Sequence, residues 1–294
     1  MVQQNSLSRN IFILFNYSFL ILLSLLCILP IVHVLAISLS SSSATAADMV
    51  KFWPIDFTLS SYKFVIHKSE FITSLVVTVK RVVLGVSTNM LMTILIAYPL
   101  SKEVQAFKGR TLYAWFFVFT ILFNGGLIPW YLTIKTTGLL DTIWALVLPG
   151  AVPVFNIVLV LNFFRGLPKE LGESAFVDGA GHWTVLWKII VPLSAPVLAT
   201  VALFSTVGHW NAWFDGMLLM NSPDNYPLQS YLRTVIIQPD VSLMSVTDMK
   251  TLAEISDRTV RAAQIFLASL PILIVYPFLQ RFFMKGIVLG SVKE

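Results

Sequence analysis

Charged side chains are scarce in this chain. Only 12% of its 294 residues are Asp, Glu, Lys or Arg, whereas 56% are hydrophobic. An ordinary soluble domain contains about 25% charged residues, so the composition excludes that class and indicates an integral membrane protein. Cysteine is almost absent as well, because the single one, Cys27, lies inside an apolar run. The chain therefore has neither a disulfide framework nor a metal site built from clustered thiols.

The sequence also lacks the motifs of nucleotide-binding and hydrolytic enzymes. It contains no Gly-x-x-x-x-Gly-Lys-Ser/Thr loop to hold the phosphates of ATP, and no Gly-x-Ser-x-Gly turn to present a nucleophile. The four histidines are far apart and show no metal-ligand spacing, so we expect a structural or interface role for each. An enzyme is therefore a poor interpretation, and we assign no catalytic, metal or cofactor site to the chain itself.

Long apolar runs are what the sequence has in abundance. Crossing about 30 Å of hydrocarbon takes roughly 20 mostly apolar residues. Six such runs are present, over 11–37, 72–100, 111–134, 143–164, 195–220 and 262–284. They predict an all-α integral membrane fold with a six-span domain over 11–284, an N-terminal segment 1–10 and a tail 285–294. The first run is about twice as long as the apolar core of a signal peptide, so we interpret it as a span.

The distribution of Lys and Arg indicates how the spans are oriented. An even number of spans places both termini on one side, and the short loops on that side are denser in basic residues than the long loops opposite. By the positive-inside rule, this side is cytoplasmic. Contact with anionic membrane lipid and an acidic partner explains the net charge of +5 and the pI near 9.3. Nucleic acid is not required as a partner.

Two segments on the opposite, extracytoplasmic side are long enough for a function of their own, 38–70 and 221–261. The first is either a solvated connection or a functional surface, and the sequence leaves both open. In the second, Asn221–Asn225 is a strong turn signal. The leucine and isoleucine spacing over 227–237 then predicts an amphipathic helix on the membrane surface. Such a loop is suited to receive a soluble binding protein.

A polar stretch at 166–192 separates the fourth apolar run from the fifth. Pro168 is suited to the first turn of a helix, and Gly179 with Gly181 permits a tight reversal before the next helix begins near Trp183. A short helix held rigidly between two spans can transmit a push from a cytoplasmic partner. The alternative is an amphipathic surface helix without a partner.

Two charges lie clearly inside an apolar run, Lys80 and Arg81. A charge at the centre of a membrane costs about 2.5–3.5 kcal/mol even on a lenient scale, so such residues often mark a function. Either they snorkel or pair with an acidic residue on a neighbouring span, or they line a translocation path and bind a polar or anionic substrate. The central parts of the spans contain no carboxylate of the kind that an ion-driven carrier buries. This absence argues for an energy source outside the chain.

The segment Glu173-Ser-Ala-Phe-Val-Asp-Gly-Ala180, followed by Ile189 and Pro192-Leu193, resembles the coupling loop of bacterial ABC importer permeases. That family's pattern is Glu-Ala-Ala-x-x-Asp-Gly-Ala followed by an Ile and a Leu-Pro; here Ser174 replaces an Ala and Val191 replaces the Leu. The likeness extends over nearly the whole chain. It includes Tyr98–Lys102, Leu122–Pro129, Trp144–Pro149, Asn162–Phe164, Gly208–Asp215, Gln280–Ile287 and Gly290–Lys293. These stretches are similar to the maltose-type, sugar-importing branch, and most similar to its subgroup for complex oligosaccharides and polysaccharide fragments.

By this resemblance, the chain would be a permease subunit in the bacterial cell membrane that forms half of a path for an oligosaccharide. It would pair with a second homologous permease, two ATP-hydrolysing subunits and an extracytoplasmic solute-binding protein. ATP and Mg would be bound by the ATPase subunits and not by this chain. The residues that match the coupling loop, and that would contact the ATPase, are Glu173, Ser174, Ala175, Asp178, Gly179 and Ala180.

Aromatic faces combined with hydrogen-bonding groups bind sugars, and two of the spans offer both. The candidates for the substrate path, besides Lys80 and Arg81, are Asn124, Trp130, Trp210, Asn211, Trp213 and Asp215. The alternative for the tryptophans is anchoring, because Trp is enriched at membrane interfaces.

Two other functions stay open at this point. A self-sufficient secondary carrier predicts uptake by this chain alone, driven by a proton or sodium gradient. A membrane docking scaffold or sensor predicts no solute flux. An importer subunit differs from both, because it predicts uptake only with partners and ATP.

Overall fold

The computed structural model describes residues 7–237 and 256–290, and every regular element within these ranges is helical. The helices, numbered in chain order, are α1 (Leu7–Ser38), α2 (Ser42–Ala46), α3 (Ser60–His67), α4 (Ser69–Ser101), α5 (Arg110–Leu122), α6 (Leu127–Thr136), α7 (Ile143–Val147), α8 (Val154–Arg165), α9 (Glu170–Val177), α10 (His182–Val185), α11 (Val191–Leu193), α12 (Ala195–Asn211), α13 (Phe214–Leu219), α14 (Leu228–Ile237) and α15 (Asp257–Gly290). Short 3₁₀ turns lie at Leu148–Gly150 and Pro223–Asn225, and a π-helical stretch lies at Leu186–Ile190. The predicted all-α class is therefore confirmed for the described part of the chain.

Three single helices in the described ranges are long and apolar enough to cross a membrane. They are Ser8–Ser38, Ser69–Ser101 and Asp257–Pro277. Three further candidates are pairs of helices with a sharp bend between them: Arg110–Leu122 with Leu127–Thr136 at 113°, Ile143–Gly150 with Val154–Arg165 at 46°, and His182–Leu193 with Ala195–Asn211 at 81°. The count by length and composition is thus three spans, or up to six if each bent pair is one span.

The bend between α5 and α6 has a local cause. Gly126 has a φ of +89°, in the left-handed region that favours glycine. The Asn124 side-chain oxygen accepts a hydrogen bond from the Gly126 amide at 2.8 Å, which closes a short turn. The predicted run 111–134 is therefore two helices at a sharp angle, not one straight helix.

The predicted runs 143–164 and 195–220 are interrupted too. The first breaks between α7 and α8, where Pro149 and Pro153 cannot donate backbone hydrogen bonds to a continuous helix. The second is α12 followed by α13, with a break at Ala212 and Trp213. Sequence hydropathy locates such runs but does not register bends inside them.

Most of the described hydrophobic core lies in a compact unit formed by Glu70–Arg233 and Pro271–Glu294. The last turns of α4 belong to this core, together with residues of α8, α10, the π-helical stretch and α12. The fully buried residues of the core include Ala97, Val160, Val185 and Val201. In a membrane, the packing of such small and branched side chains, rather than water exclusion, holds helices together.

The helix predicted over 227–237 is present as α14, but its environment differs from the prediction. Leu228 and Leu232 are buried, and the Leu228 amide donates a hydrogen bond to the Thr78 hydroxyl of α4 at 2.7 Å. The apolar face of α14 therefore packs against the protein, on α4 and α13, and not on a membrane surface as predicted. The rest of the predicted extracytoplasmic loop, 238–255, lies outside the described residues.

A second compact unit is formed by the described residues within Met1–Ser69 and Thr234–Leu270. Its small core consists of Ala36, Ile37, Ala44, Val50 and Ala262. The Ser61 hydroxyl donates to the Thr259 hydroxyl at 2.9 Å, and the Arg258 guanidinium pairs with the Asp48 carboxylate at 3.0 Å. Polar contacts of this kind tie the segment that follows α1 to the beginning of α15.

Candidate functional site

One face of α4 carries polar side chains at helical spacing. Arg81, Gly85 and Asn89 are each four residues apart, so they lie on one face of the helix. All three are buried, and the buried residues Thr78 and Thr93 extend the same face. A buried polar stripe inside an apolar helix needs partners, because an unsatisfied polar group costs several kcal/mol in a membrane interior.

Arg81 finds its partner on α13. Its guanidinium donates two hydrogen bonds to the Asp215 carboxylate, one of them measuring 3.1 Å, and a weaker one of 3.4 Å to the Ala212 carbonyl. This forked geometry is the strong form of an arginine–carboxylate pair. The Arg81 side chain is 3% exposed and that of Asp215 is 22% exposed, so the pair opens toward a cavity from the carboxylate side. Of the two alternatives for Arg81, the geometry favours a charge pair with an acidic residue on another helix.

Asn89 lies about two turns further along α4 than Arg81, and it contacts both the break between α7 and α8 and the helix α12. Its amide nitrogen donates to the Gly150 carbonyl at 2.7 Å and to the Ala151 carbonyl at 3.2 Å, at the break between α7 and α8. Its amide oxygen lies 2.9 Å from the His209 Nε2 of α12. The side chain therefore satisfies carbonyls that the interrupted helix leaves without partners.

The polar groups surround a cavity of about 450 Å³. Arg81 and Asn89 line it from α4, Trp130 from α6, and Asp215 from α13. Asn156 of α8 and Ser205 of α12 line it as well, and the Asn156 amide donates to the Ser205 hydroxyl at 3.2 Å. The charged members of the lining are Arg81 and Asp215, whose charges offset each other. The wall thus combines hydrogen-bonding groups with apolar residues and the rings of Trp130 and Phe204, and it carries little net charge.

The structure brings together only some of the residues predicted for the substrate path. Arg81, Trp130 and Asp215 line the cavity, whereas the following predicted residues are not among its lining: Lys80, Asn124, Trp210, Asn211 and Trp213. Lys80 is exposed on the opposite side of α4 from the buried stripe, because adjacent residues of a helix point in different directions. A role for Lys80 in selecting an acidic sugar inside the cavity is therefore not favoured.

The other predicted path residues have different surroundings. Asn124 closes the turn before α6, as described above. Trp210 is buried in the α12 interface, and Asn211 is exposed at the end of α12. Trp213 packs its ring against the Arg233 guanidinium at 4.2 Å. The last contact is a cation–π interaction that holds α14 to the end of α12.

Among the polar residues of the cavity lining, Asn89, Asn156 and Ser205 were not predicted as site residues. His209 was expected to have a structural or interface role, and it lines the cavity as well. The signal that identifies Asn89 is its spacing of eight from Arg81, which puts it on the same helical face. Asn156 and Ser205 have no such signal, because single polar residues in apolar helices are also found in ordinary helix packing.

The second candidate surface is the predicted coupling stretch 166–192. It contains α9, then a reversal, then α10 leading through the π-helical stretch into α11 and α12. Gly179 has a φ of +83°, and the Ala180 amide donates to the Ala175 carbonyl at 2.9 Å. A left-handed glycine with such backbone bonds is a common way to end a helix. Gly181 follows with an extended backbone and precedes α10.

Exposure differs along α9 and the reversal. Glu173, Ser174, Asp178 and Gly179 are exposed, while Ala175 and Ala180 are partly buried and pack against the core. Val177 is 88% exposed. The outward face of this segment thus combines acidic groups with an exposed apolar residue.

Several contacts tie α9 and α10 to the end of α4. Lys169 forms an ion pair with Glu103, and the Tyr98 hydroxyl lies 3.2 Å from the His182 Nδ1. The hydrogen bond and charge of Lys169 lower the pKa of the Glu103 carboxyl, and Glu103 raises the pKa of the Lys169 ammonium in return. Because both side chains are well exposed, the ion pair adds little to the stability of the fold, and its main effect is to position α9 beside the end of α4.

Aromatic rings complete this junction. The Lys102 ammonium lies 4.3 Å from the centre of the Tyr98 ring and 5.8 Å from that of Phe176. The Phe176 ring meets the His182 ring edge to face at 4.9 Å. The α9 helix is therefore held against α4 by side chains from both of its ends.

The part of the chain that the structure describes contains no group of three or more His, Cys, Asp or Glu residues placed to hold a metal ion.

Comparison with known proteins gives a single picture. The model of the family described as "Binding-protein-dependent transport system inner membrane component" matches residues 78–288. The chain is 41% identical over 289 residues to Protein LplC of Bacillus subtilis (strain 168), covering 98% of this chain and 97% of that protein. It is 36% identical over 287 residues to the polygalacturonan/rhamnogalacturonan transport system permease protein YtcP of the same strain, covering 98% of this chain and all of the other.

A solved structure is similar along almost the whole chain. The crystal structure of a bacterial ABC transporter involved in the import of the acidic polysaccharide alginate contains a chain that matches with a TM-score of 0.88 and 33% identity. The match covers 96% of the present chain and 100% of that one.

Proposed function

The chain belongs to the family of binding-protein-dependent transport system inner membrane components, and from that membership we propose that it is the permease subunit of an ATP-driven importer of oligosaccharides. It forms half of the translocation path, and a second, homologous permease forms the other half. The chain is not an enzyme: two cytosolic ATPase subunits bind ATP and Mg and hydrolyse the nucleotide. A solute-binding protein delivers the sugar from outside the membrane.

The observation that carries this proposal is the double role of α4. Near its middle, Arg81 and Asn89 form the polar wall of the cavity, and its last turn contacts α9 and α10 through Tyr98 and the residues just after it. The distance along the helix from Asn89 and Arg81 to Tyr98 is roughly 14–26 Å. A rigid helix of this kind links events at the surface stretch to the shape of the cavity.

The cavity is this subunit's part of the sugar path. Hydroxyl-rich molecules need hydrogen-bond donors and acceptors together with an aromatic face, and Asn89, Asp215 and Trp130 supply these. The relatives support a large carbohydrate substrate, since one is named for polygalacturonan and rhamnogalacturonan and another takes part in alginate import. The balanced charges of Arg81 and Asp215 favour contact with sugar hydroxyls over capture of an acidic group by a free cation.

The outward face of α9 is the coupling surface for one ATPase. Glu173, Ser174, Asp178 and Gly179 contact the partner, while Ala175 and Ala180 hold the helix against the core. The exposed acidic groups of this face support the assignment, because they stay available for contact with a partner. The coupling surface, both termini and the tail lie on the cytoplasmic side of the bacterial cell membrane.

Transport then follows from a two-state equilibrium. ATP binding closes the ATPase dimer, which moves α9 together with the end of α4. The cavity changes from inward-open to outward-open and accepts sugar from the binding protein. Because ATP binds the closed dimer more tightly, it shifts the population of the permease states.

ATPase activity in lipid tests this proposal. The chain is purified with its neighbouring permease and ATPase, and ATP hydrolysis is measured with and without sugar-loaded binding protein. We expect strong stimulation by the loaded binding protein. In Gly179→Pro, proline cannot adopt the left-handed backbone of the reversal, so we expect an inserted complex whose ATPase no longer responds to the binding protein.

Gly181→Ala is the matched control, because Gly181 has an ordinary backbone conformation with open space at the Cβ position. It should respond like the unaltered chain. Normal stimulation in Gly179→Pro would show that the reversal has no role in coupling. Uptake by this chain alone would replace the importer with a self-sufficient carrier.

A further inference from the structure

An apolar groove of about 350 Å³ lies beside the last turns of α4, separate from the polar cavity. Its walls come from the end of α4, from the connection to α5, and from α10. The lining residues are Leu95, Tyr98, Pro99, Lys102, Ala106, Phe107, His182, Trp183 and Leu186. The floor is therefore a mixture of aliphatic and aromatic surface, and Lys102 is its only permanently charged member.

The charge around the groove is positive. Arg110 donates to the Lys102 carbonyl at 2.7 Å, and Arg165 donates to the Leu100 carbonyl at 3.0 Å. The nearest acidic side chain in sequence, Glu103, pairs with Lys169. Among side chains that the structure describes, no carboxylate forms an ion pair with Lys102. Among the described residues, the ammonium lies over the Tyr98 and Phe176 rings and has no carboxylate partner in an ion pair, so its hydrogen-bond donors can reach an anion.

The position of the groove on α4 predicts that it opens at the boundary of the membrane. α4 is one of the long apolar helices, and the groove begins at its final turns. Trp183 is 65% exposed at the rim, as expected of a tryptophan that lies among lipid headgroups. Partial burial lowers the pKa of the Lys102 ammonium, because desolvation disfavours the charged form. An anion seated beside it would restore the lost stabilisation of the charge.

We propose that this groove binds one anionic phospholipid, with its phosphate on Lys102 and the first part of an acyl chain along Leu95, Pro99 and Phe107. An apolar channel with a cationic rim at the membrane surface fits a molecule with a phosphate and a hydrocarbon chain. Basic pockets between membrane helices on the cytoplasmic side recognise anionic headgroups in this manner. The lipid also contacts Tyr98 and His182, which join α4 to α10, so it occupies the junction that transmits movement.

Native mass spectrometry of the full-length chain in its assembled complex tests the site. The detergent-purified complex is titrated with phosphatidylglycerol or with phosphatidylcholine that has the same acyl chains, and the retained lipids are counted. We expect one phosphatidylglycerol molecule that is retained in preference to phosphatidylcholine. Lys102→Gln should weaken its apparent affinity by about fivefold, the effect of one basic residue at a membrane surface. Lys102→Arg should retain it.

Two further variants distinguish a shaped site from general attraction. Lys108→Gln removes the same charge from an exposed position outside the groove, and it should change the affinity by less than about twofold. Ala106→Trp fills the groove without altering charge and should abolish the retained lipid. Equal losses in Lys102→Gln and Lys108→Gln, or an unchanged lipid in Ala106→Trp, would overturn the proposal. Displacement by millimolar inorganic phosphate would also overturn it, because it would identify a simple anion site.

Discussion

The guanidinium of Arg81 on α4 is paired in a forked arrangement with the carboxylate of Asp215 on α13. The two residues are 134 positions apart in sequence, and Arg81 is almost fully buried. A buried ion pair is costly to assemble, because both ions lose their hydration. Once it is assembled, removal of one partner leaves the other without compensation. The pair is therefore a sensitive point of the cavity wall.

Removing the carboxylate from this pair should destabilise the chain strongly. In Asp215→Asn the Arg81 charge stays buried without a counter-charge, which costs about 3 kcal/mol or more. Arg81→Met should cost less, because the partly exposed Asp215 carboxylate can be hydrated from the cavity. The double variant should lose less than the sum of the single changes. Unfolding of the purified chain by SDS titration in detergent micelles measures all three free energies.

Lys80→Met serves as the control for this cycle. It removes a positive charge from the neighbouring exposed position, and it should change the free energy of unfolding by less than about 0.5 kcal/mol. If the loss of stability in the double variant equalled the sum of the losses in Asp215→Asn and Arg81→Met, the two side chains would not be energetically coupled. The ion pair seen in the structure would then contribute nothing to the free energy of unfolding.

Gly85 makes a second close contact in the same wall. A Cβ atom at this position would lie 2.4 Å from the His209 Nε2, which leaves no room for it. In Gly85→Ala the imidazole must move, and its hydrogen bond with Asn89 would be lost. We expect a loss of stability of about 1–3 kcal/mol, typical of overpacking, together with reduced transport. The same SDS titration and a sugar-uptake assay measure the two effects.

The neighbouring glycine of α12 supplies the control for this substitution. Gly208 has open space where a Cβ would be added, so Gly208→Ala should be neutral or slightly stabilising, because alanine favours helix. His209→Ala in the Gly85→Ala background should recover part of the loss by making room. Gly85→Ala with unchanged stability would mean that the two helices are further apart than this geometry requires.

The sequence predicts the long helices better than the site between them. Apolar runs of sufficient length locate α1, α4 and α15, because the requirement for satisfied backbone groups in a membrane leaves few alternatives to a helix. The bends at Gly126 and at Pro149 were not predicted, although glycine and proline mark them. Whether such a residue bends a span depends on which neighbour satisfies the freed backbone groups, as Asn89 does for Gly150.

The cavity wall shows the same limit. Arg81 was identified from the rarity of charge in a span, yet its partner Asp215 was assigned only as a possible sugar contact. Nothing in the local sequence states that α13 turns back toward α4. The stretch 166–192 differs, because α9, its acidic residues and the two glycines that follow it are contiguous in sequence, although its coupling role stays a prediction. Patterns of neighbouring residues can be predicted from a sequence, whereas contacts between helices that are far apart along the chain cannot.

Asp141 stabilises the segment that follows α13. Its carboxylate accepts hydrogen bonds from the Asn221 amide at 2.9 Å, the Ser222 amide at 3.2 Å and the Asn225 side chain at 3.0 Å. Asp141→Asn tolerates the same left-handed backbone but loses the charge. We expect amide hydrogen exchange at Asn221 and Ser222 to accelerate by about fivefold. This factor corresponds to the low end of the free energies that hydrogen bonds to a charged acceptor contribute at a surface.

The pH dependence of this segment has a definite sign. The hydrogen bond from Asn225, with those from Ser222 and Asn221, lowers the pKa of the Asp141 carboxyl from its ordinary 3.8 to about 2. A lowered pKa in the folded state stabilises the segment above the ordinary value, and this stabilisation is lost as the pH falls from 3.8 through 2. Exchange at Asn221 should therefore accelerate in that window in the unaltered chain only.

Asp224→Asn is the control, since it removes an exposed carboxylate from the same segment. Protection at Asn221 and Ser222 should be the same as in the unaltered chain. An equal loss of protection in both aspartate variants would indicate a general charge effect and would contradict a specific role for Asp141.

Gly179 offers a last, quantitative test of the reversal after α9. Its φ of +83° costs an alanine about 1–2 kcal/mol, although open space surrounds the position. Gly179→Ala should therefore loosen the reversal and lower the ATPase stimulation by loaded binding protein, while basal hydrolysis persists. Gly181→Ala adds the same methyl group in an extended backbone and should retain full stimulation. If Gly181→Ala lowers the ATPase stimulation as much as Gly179→Ala does, the loss of flexibility in this segment affects coupling. The left-handed turn at Gly179 would then have no specific role.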